Sequence, residues 1–228
     1  MYFLLSLGVA LAAICNADPI PSTALPNSIC KRRYEYIPVD GSCDSYIECR
    51  DYRRIDMYCP DGLNFNQKAV FPDYPCSYPI EVPCKAGAVS RAAISNADCP
   101  RQYGFFPSPV APKGDCGQYR MCIAGDAFDM ICPAGLAFNP ATSTCDWPDQ
   151  VSSCNSADFL SFSCPKSTVD ISGNPVITNH KYENECYAFF SCQEGKARLL
   201  SCDPGLAFDE RVGRCVNEKN VSCTSRRK

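Results

Sequence analysis

The sequence predicts a small, disulfide-rich, mainly β protein of three tandem six-cysteine modules, each with short antiparallel sheets, a β-hairpin and little helix. Three observations support this: nineteen cysteines in 228 residues, a cysteine spacing that recurs three times, and short strand-forming runs between turn residues. Such a cysteine content is typical of oxidising compartments, where disulfides stabilise domains too small to bury a large core. Removing Cys15 with an N-terminal signal leaves eighteen cysteines, an even number that can pair completely.

The cysteines fall into three blocks with a fixed inner spacing. In every block five residues separate the second cysteine from the third, and nine separate the third from the fourth. The first gap varies, with 12, 16 and 21 residues in the three blocks. A recurring pattern of this kind indicates repeated structural units, here module 1 (30–84), module 2 (99–154) and module 3 (164–223). Modules of this size have little core, so disulfides worth about 2–4 kcal/mol each are expected to supply much of their stability.

Within the modules, short runs bounded by Gly, Pro and Asp favour β-strands. These runs are Ser45 to Arg50, Tyr119 to Ile123, Phe128 to Ile131 and Ala188 to Cys192. After each fourth cysteine a Pro/Gly turn precedes an aromatic residue, which reads as a chain reversal between extended segments. We expect these aromatics, Phe65, Phe138 and Phe208, to belong to the core.

The remaining segments are short. Residues 1–17 carry an apolar run too short to cross a bilayer and read as a secretory signal. Residues 18–29 are proline-rich and predict an extended leader, while 85–98 reads as a flexible linker. The second linker, 155–163, is less polar and is expected to pack on a neighbouring module. The tail, 224–228, is a basic, solvated end.

Charge and composition exclude several classes of function. The formal net charge is -3, with no basic stripe for nucleic acid and no polybasic patch for anionic lipid. No later segment is apolar enough to span a membrane, so no membrane association is expected after signal cleavage. The cysteine spacings differ from those of zinc sites, and His180 is the only histidine. We therefore predict no metal and no cofactor.

Residues between the cysteines recur as well. Each block has an aromatic three positions before its third cysteine, and a turn segment close to C-P-x-G-L-x-F; module 2 adds Cys145-Asp146-Trp147-Pro148. These motifs resemble the peritrophin-A, or type 2, chitin-binding domain of invertebrates, and the three-module arrangement is similar to the obstructor group of insect cuticular proteins. The resemblance implies a secreted, non-catalytic protein that organises or cross-links chitin fibrils in cuticle or a related extracellular matrix. Chitin is the implied partner, with other matrix proteins as further partners.

The resemblance also implies a disulfide pattern, whereas the spacing alone leaves fifteen pairings open in each module. The implied pattern joins the first cysteine to the third, the second to the sixth and the fourth to the fifth. The pairs are Cys30–Cys49, Cys43–Cys84 and Cys59–Cys76 in module 1, Cys99–Cys122, Cys116–Cys154 and Cys132–Cys145 in module 2, and Cys164–Cys192, Cys186–Cys223 and Cys202–Cys215 in module 3.

Chitin is an uncharged polymer with apolar sugar faces and N-acetyl groups, so a binder needs exposed rings with polar neighbours. The candidate stacking residues are Tyr46, Tyr78, Tyr119, Trp147 and Phe189, and the candidate polar contacts are Asn66, Asn139 and Asp209. The competing interpretation is that small modules need their few aromatics as core. Two residues after the fifth cysteine, module 3 has Asn217 where module 2 has Trp147, so module 2 is the most family-like and module 3 the weakest expected binder.

The sequence also bears on two other classes of protein and on one modification. A chitin-degrading enzyme needs a catalytic domain of about 100 residues or more, which the leader and linkers cannot house. A cysteine-rich, protein-binding factor of the inhibitor or defence type remains the alternative, because compact disulfide scaffolds also serve that purpose. Asn220-Val221-Ser222 is an N-glycosylation sequence whose proximity to the last disulfide could hide it.

Overall fold

A computed structural model describes residues 29–183 and 185–222. The predicted signal, almost all of the leader and the predicted tail lie outside these residues. Within them the protein is mainly β, as predicted, and each module has the same plan. A three-stranded antiparallel sheet comes first and a two-stranded antiparallel hairpin follows it.

The fifteen strands in the described residues divide equally among the modules. Module 1 contains β1 (Tyr34–Pro38), β2 (Ser45–Arg50), β3 (Arg53–Tyr58), β4 (Asn64–Phe65) and β5 (Cys76–Ser77). Module 2 contains β6 (Gly104–Pro107), β7 (Gln118–Ile123), β8 (Asp126–Ile131), β9 (Ala137–Asn139) and β10 (Thr144–Asp146). Module 3 contains β11 (Thr178–Lys181), β12 (Ala188–Gln193), β13 (Lys196–Ser201), β14 (Leu206–Asp209) and β15 (Arg214–Asn217).

The fixed spacing of nine residues between the third and fourth cysteines encodes a tight hairpin. In module 2, Ile123 pairs with Asp126, so only Ala124 and Gly125 form the loop, and both have positive φ. Two-residue loops of this conformation match the twist of the flanking strands, which explains why the hairpin closes here. The same two-residue loop joins β2 to β3 and β12 to β13.

Disulfides fasten the sheet and the hairpin of each module. The described residues contain eight disulfides, and all eight join cysteines in the pattern that the resemblance implies. The ninth expected pair includes Cys223, which lies outside the described residues. Within a module, the bridge from the first cysteine to the third holds the entering chain against the central strand, and the bridge from the fourth to the fifth closes the hairpin.

The core of each module is centred on one stacked pair of aromatic rings. The ring three positions before the third cysteine lies on the ring of the C-P-x-G-L-x-F segment. The centroid distances are 4.8 Å for Tyr46 and Phe65, 5.0 Å for Tyr119 and Phe138, and 4.9 Å for Phe189 and Phe208. Stacked pairs of this kind contribute about 0.5–1.5 kcal/mol beyond the area that they bury. Phe65, Phe138 and Phe208 are buried, so their predicted core role is confirmed.

Both linkers make defined contacts. The first linker was expected to be flexible, but Val89 forms a bridge with Ser42 of module 1, and Arg91 donates hydrogen bonds to Asp44 and to the carbonyl of Cys59. The second linker contains the helix α1 (Ser156–Leu160), which Asn155 caps by accepting hydrogen bonds from two backbone amides. Neither α1 nor the two short 3-10 helices in the described part of the chain is long and apolar enough to cross a membrane.

Candidate functional site

The sheet of module 2 has one face on which apolar side chains gather. Residues directly opposite each other in an antiparallel sheet point to the same face. Tyr119 lies opposite Met130, and Met121 lies opposite Phe128, so these four side chains share a face. The stacked Phe138 covers part of it at Tyr119, whereas the outer strand β8 stays open, with 47% of Phe128 and 37% of Met130 exposed. We call Phe128 and Met130 the outer strip of module 2.

The other two modules have different residues at the positions of the outer strip. In module 1 these positions hold Ile55, which is 38% exposed, and the half-buried Met57. In module 3 they hold Arg198 and Leu200. Among the described modules, module 2 therefore presents the only aromatic strip, and it exposes both of its residues.

The structure does not bring the predicted stacking residues together on one surface. Tyr46 is only 4% exposed and stacks on Phe65, while the ring of Tyr36 meets it edge-on at 5.7 Å. Burial raises the pKa of the Tyr46 hydroxyl, as expected for a phenol removed from water. A ring in this position fills the core, and its faces are not available to a sugar. Tyr119 and Phe189 occupy the same position in their modules but are half-buried.

Tyr78 and Trp147 lie between modules. The ring of Tyr78 packs on Phe105 of module 2, with centroids 5.2 Å apart, and burial raises the pKa of its hydroxyl. The guanidinium carbon of Arg198, in module 3, lies 5.1 Å from the centroid of the Trp147 ring. Asn217, at the corresponding position of module 3, accepts a hydrogen bond from the amide of Lys219.

The candidate polar contacts have a local structural role. Asn66, Asn139 and Asp209 each use a side-chain oxygen to accept a hydrogen bond from the backbone amide two residues further on. Such side-chain-to-backbone bonds stabilise the turn of the hairpin. In Asp209 the hydrogen bond from the Arg211 guanidinium also lowers the pKa of the carboxyl. A turn role explains why the position recurs in all three modules.

Two of these turn residues also border clefts beside the second cysteine of their module. Asn66 lies with Asn64 and Glu81 on the wall of an open cleft of about 350 Å³ in module 1. Asp209 borders a smaller cleft of about 140 Å³ at the corresponding place in module 3. In the cleft of module 1, the buried Asn64 side chain donates a hydrogen bond to the carbonyl of Val82. The described residues contain no cluster of His, Cys, Asp or Glu side chains that could hold a metal ion.

Sequence reasoning missed the outer strip. Phe128 was recognised as the start of a strand, but its exposure was not predicted. The signal was available in the register, because the two-residue loop at Ala124 and Gly125 places Phe128 opposite Met121 on the face of Tyr119. Alternation along β8 then turns Phe128 and Met130 to that face and Ile131 to the other.

Three repeats of a disulfide-linked sheet and hairpin, each with an aromatic stack in its core, define a tandem array of small disulfide-rich modules. The chain belongs to the chitin binding peritrophin-A domain family, which matches residues 30–85, 99–154 and 176–223. The third match begins beyond Cys164, within the long first gap of module 3.

The relatives fit this family. Protein obstructor-E of Drosophila melanogaster is 35% identical over 216 residues, which cover 91% of this chain and 86% of that protein. Peritrophin-1 of Anopheles gambiae is 30% identical over 112 residues, or 47% of this chain and 71% of that protein. Probable chitinase 10 of Drosophila melanogaster is 21% identical over 215 residues, but these represent only 9% of that protein.

Proposed function

We propose that this protein is a secreted, non-catalytic, multivalent binder of chitin that organises or cross-links chitin fibrils in cuticle or a related extracellular matrix. The observation that carries the proposal is the threefold match to a chitin-binding domain family, together with similarity to obstructor-E along 91% of the chain. The density of disulfides supports an extracellular location, because such bonds persist in oxidising surroundings.

The outer strip of module 2 is the surface best suited to the sugar. Chitin offers apolar C–H faces and carries no charge, so apolar contact area contributes more to its recognition than ion pairs do. Phe128 and Met130 supply that area on the edge strand β8, which pairs with β7 and is followed directly by the Cys132–Cys145 disulfide. The cleft beside Asn66 in module 1 adds amide groups suited to an N-acetyl group. These positions replace Tyr46 as proposed contacts.

Several weak sites in one chain are enough for a matrix protein. When modules are linked, the second contact becomes intramolecular, and avidity can exceed single-site affinity by roughly 100-fold or more where the geometry allows both contacts. Modules of one chain that bind different fibrils would bridge those fibrils. Modules that bind the same fibril would occupy spaced positions along it. Both outcomes require binding alone and no reaction.

The direct test is co-sedimentation of the intact, oxidised protein with chitin beads. We expect most of the protein to pellet with chitin and to stay in solution with cellulose, which lacks the N-acetyl group. A reduced and alkylated sample should stay in solution with both, because the modules lose their disulfides. Retention of the oxidised protein in the supernatant, under conditions in which an established chitin binder pellets, would overturn the proposal.

A further inference from the structure

In the module that precedes each junction, the contacts with the next module use the same positions of the repeat. Each junction contains the turn glycine that follows the fourth cysteine and the aromatic that follows the fifth. In module 1 these residues are Gly62 and Tyr78, and in module 2 they are Gly135 and Trp147. We call the turn glycine and the aromatic of one module, taken together, the docking surface of that module. The partner differs between the junctions: at the first it is the segment 101–105 at the start of module 2, and at the second it is the edge strand β13 of module 3.

The turn glycines leave no room for a side chain at the two junctions. A Cβ atom on Gly62 would lie 1.9 Å from the carbonyl oxygen of Tyr103, and one on Gly135 would lie 2.6 Å from the Cβ atom of Leu199. In module 3 the same turn glycine, Gly205, has nothing within 4 Å of that position. All three glycines have similar positive φ values, +97°, +80° and +84°, so the turn itself requires glycine in every module. Close packing of the next module adds a second requirement at the first two.

A buried carboxylate fixes the first junction. Asp61 is only 6% exposed, and its carboxylate accepts hydrogen bonds from the amides of Ile94 and Gln102 and from the guanidinium of Arg101, at 2.9, 3.2 and 2.7 Å. Its carbonyl accepts a fourth bond, from the amide of Tyr103 at 2.9 Å. All four donors belong to the linker or to module 2. Because hydrogen bonds to a charged group are the strong ones, this single residue holds the two modules in one orientation.

A second acidic residue serves the other junction. Asp149 follows Trp147 by two positions, and its carboxylate lies 3.4 Å from Nε of Arg198 and 3.7 Å from Nζ of Lys196. Burial would raise the pKa of Asp149, but hydrogen bonds from Gln150 and Arg198 and the charges of both cations lower it below its ordinary value. Arg198 thus meets a carboxylate and an aromatic face together, which suits its planar guanidinium.

The linkers further restrict the motion of the modules relative to one another. Arg91 donates two hydrogen bonds to the buried Asp44 and stacks over Tyr58 at 4.3 Å, so the first linker follows the surface of module 1. In the second linker, Phe162 stacks on Phe190 of module 3 at 4.2 Å, while the ring of Phe159 lies 3.3 Å from the place that a Cβ on Gly117 of module 2 would occupy. Independent motion of modules is the usual expectation for small polar interfaces, but here glycine contact, aromatic packing and a carboxylate act on each junction together.

We infer that the three modules form one rigid array, and that Tyr78 and Trp147 are junction residues that position the modules instead of sugar contacts. The array then presents its binding surfaces at fixed distances and angles. This inference does not depend on chitin binding, because it concerns the free protein in solution.

Small-angle X-ray scattering of the intact, oxidised protein tests the inference. We expect that a single conformation fits the scattering profile. In a Kratky plot the curve should fall sharply after its peak, as it does for a rigid particle. G62A and G135A should each release one junction and increase the maximum dimension, whereas G205A should not. G205A is the matched control, because it introduces the same left-handed strain without a contact across a junction. Disulfide mapping of the three variants identifies any that fails to fold.

A second pair of variants avoids backbone strain altogether. W147A and R198A remove the two sides of the contact across the second junction, and each should raise the rate of protease cleavage within residues 155–163 several-fold. V110A, at an exposed position of module 2 away from both junctions, should leave that rate unchanged. Wild-type scattering that requires independently moving modules, or identical scattering from G135A, G205A and the wild type, would overturn the inference. If the intact wild-type protein scatters as one rigid conformation but does not bind chitin, the rigid array stands and the proposed function is wrong.

Discussion

The ring of Tyr46 stacks on the ring of Phe65 with centroids 4.8 Å apart and planes inclined by 9°. Equivalent pairs recur in the other two modules with nearly the same geometry. The pair joins the central strand of the sheet to the first strand of the hairpin, and the bridge between the fourth and fifth cysteines lies beside it. The recurring aromatic before the third cysteine is therefore explained by packing, and its recurrence gives no evidence of ligand contact.

Replacement of Phe138 by alanine should destabilise module 2. Phe138 is 4% exposed, and truncation of a buried phenylalanine costs about 3–5 kcal/mol. Thermal unfolding under oxidising conditions should show a lower midpoint for the transition of this module. The control is F128A, which truncates an exposed ring in the same module and should change stability by less than about 0.5 kcal/mol. Equal effects of the two substitutions would contradict the assignment of Phe138 to the core.

The outer strip makes a separate prediction about binding. F128A and M130A should each weaken retention on chitin, and the double variant should weaken it more, because apolar contact with the sugar is lost. Ile131 provides the matched control, since it is 75% exposed on the opposite face of the same strand. Depletion isotherms on colloidal chitin measure the effect. If I131A weakens binding as much as F128A, the sugar does not use this face.

Low pH should loosen the second junction. The pKa of Asp149 is lowered from about 3.8 in the docked state. The contribution of its carboxylate is therefore complete above that value and is lost as the pH falls through the lowered pKa. Scattering profiles should stay constant from neutral pH to about pH 4 and expand below it. D149N should show the expanded profile at neutral pH and little further change on acidification. Expansion between pH 7 and 5 would point to a different group.

Removal of the Cys132–Cys145 bridge should open the hairpin of module 2. The bridge closes a short loop, and its loss costs about 2–4 kcal/mol in the chain-entropy view. The double variant C132S/C145S should therefore unfold at a lower temperature and lose protection from proteases between residues 133 and 144. An unchanged unfolding midpoint would show that the aromatic stack alone holds the hairpin.

Asn220 is predicted to carry an N-linked glycan when the protein passes through a eukaryotic secretory pathway. Asn220 is exposed at the end of the 3-10 helix Glu218–Asn220, which favours access by the glycosylating enzyme, whereas Cys223 of the last disulfide lies outside the described residues. A mass loss after treatment with an N-glycosidase, absent from N220Q, would establish the modification. An identical mass before and after treatment would exclude it.

Much of the fold follows from the sequence because cysteine spacing and turn chemistry act over short distances. The prediction of a strand at Ser45 to Arg50 is confirmed, and the two-residue loops follow from a fixed gap of nine residues. The edge strand β6 was not predicted, because Gly104 and Pro107 weaken its strand signal and its pairing with β7 supplies the missing stability.

The site was harder to predict than the fold. The residue type of Tyr46 fits a stacking platform as well as a core, and only the position of Phe65 decides between them. Trp147 presents the same difficulty, since its neighbour Arg198 is distant in sequence and belongs to another module. The two sides of a contact between repeats are distant in sequence, so the first linker was expected to be flexible, although Asp44 and Asp61 hold it.

The turn glycine and the aromatic after the fifth cysteine belong to the module that precedes each junction. A repeat that has both residues therefore supplies one side of the contact with the repeat that follows it. The other side of the contact differs, since the first junction uses the start of module 2 and the second uses the edge strand β13 of module 3, so the two junctions set two different orientations. A rigid array of this kind would hold the fibrils that its modules bind at a fixed separation.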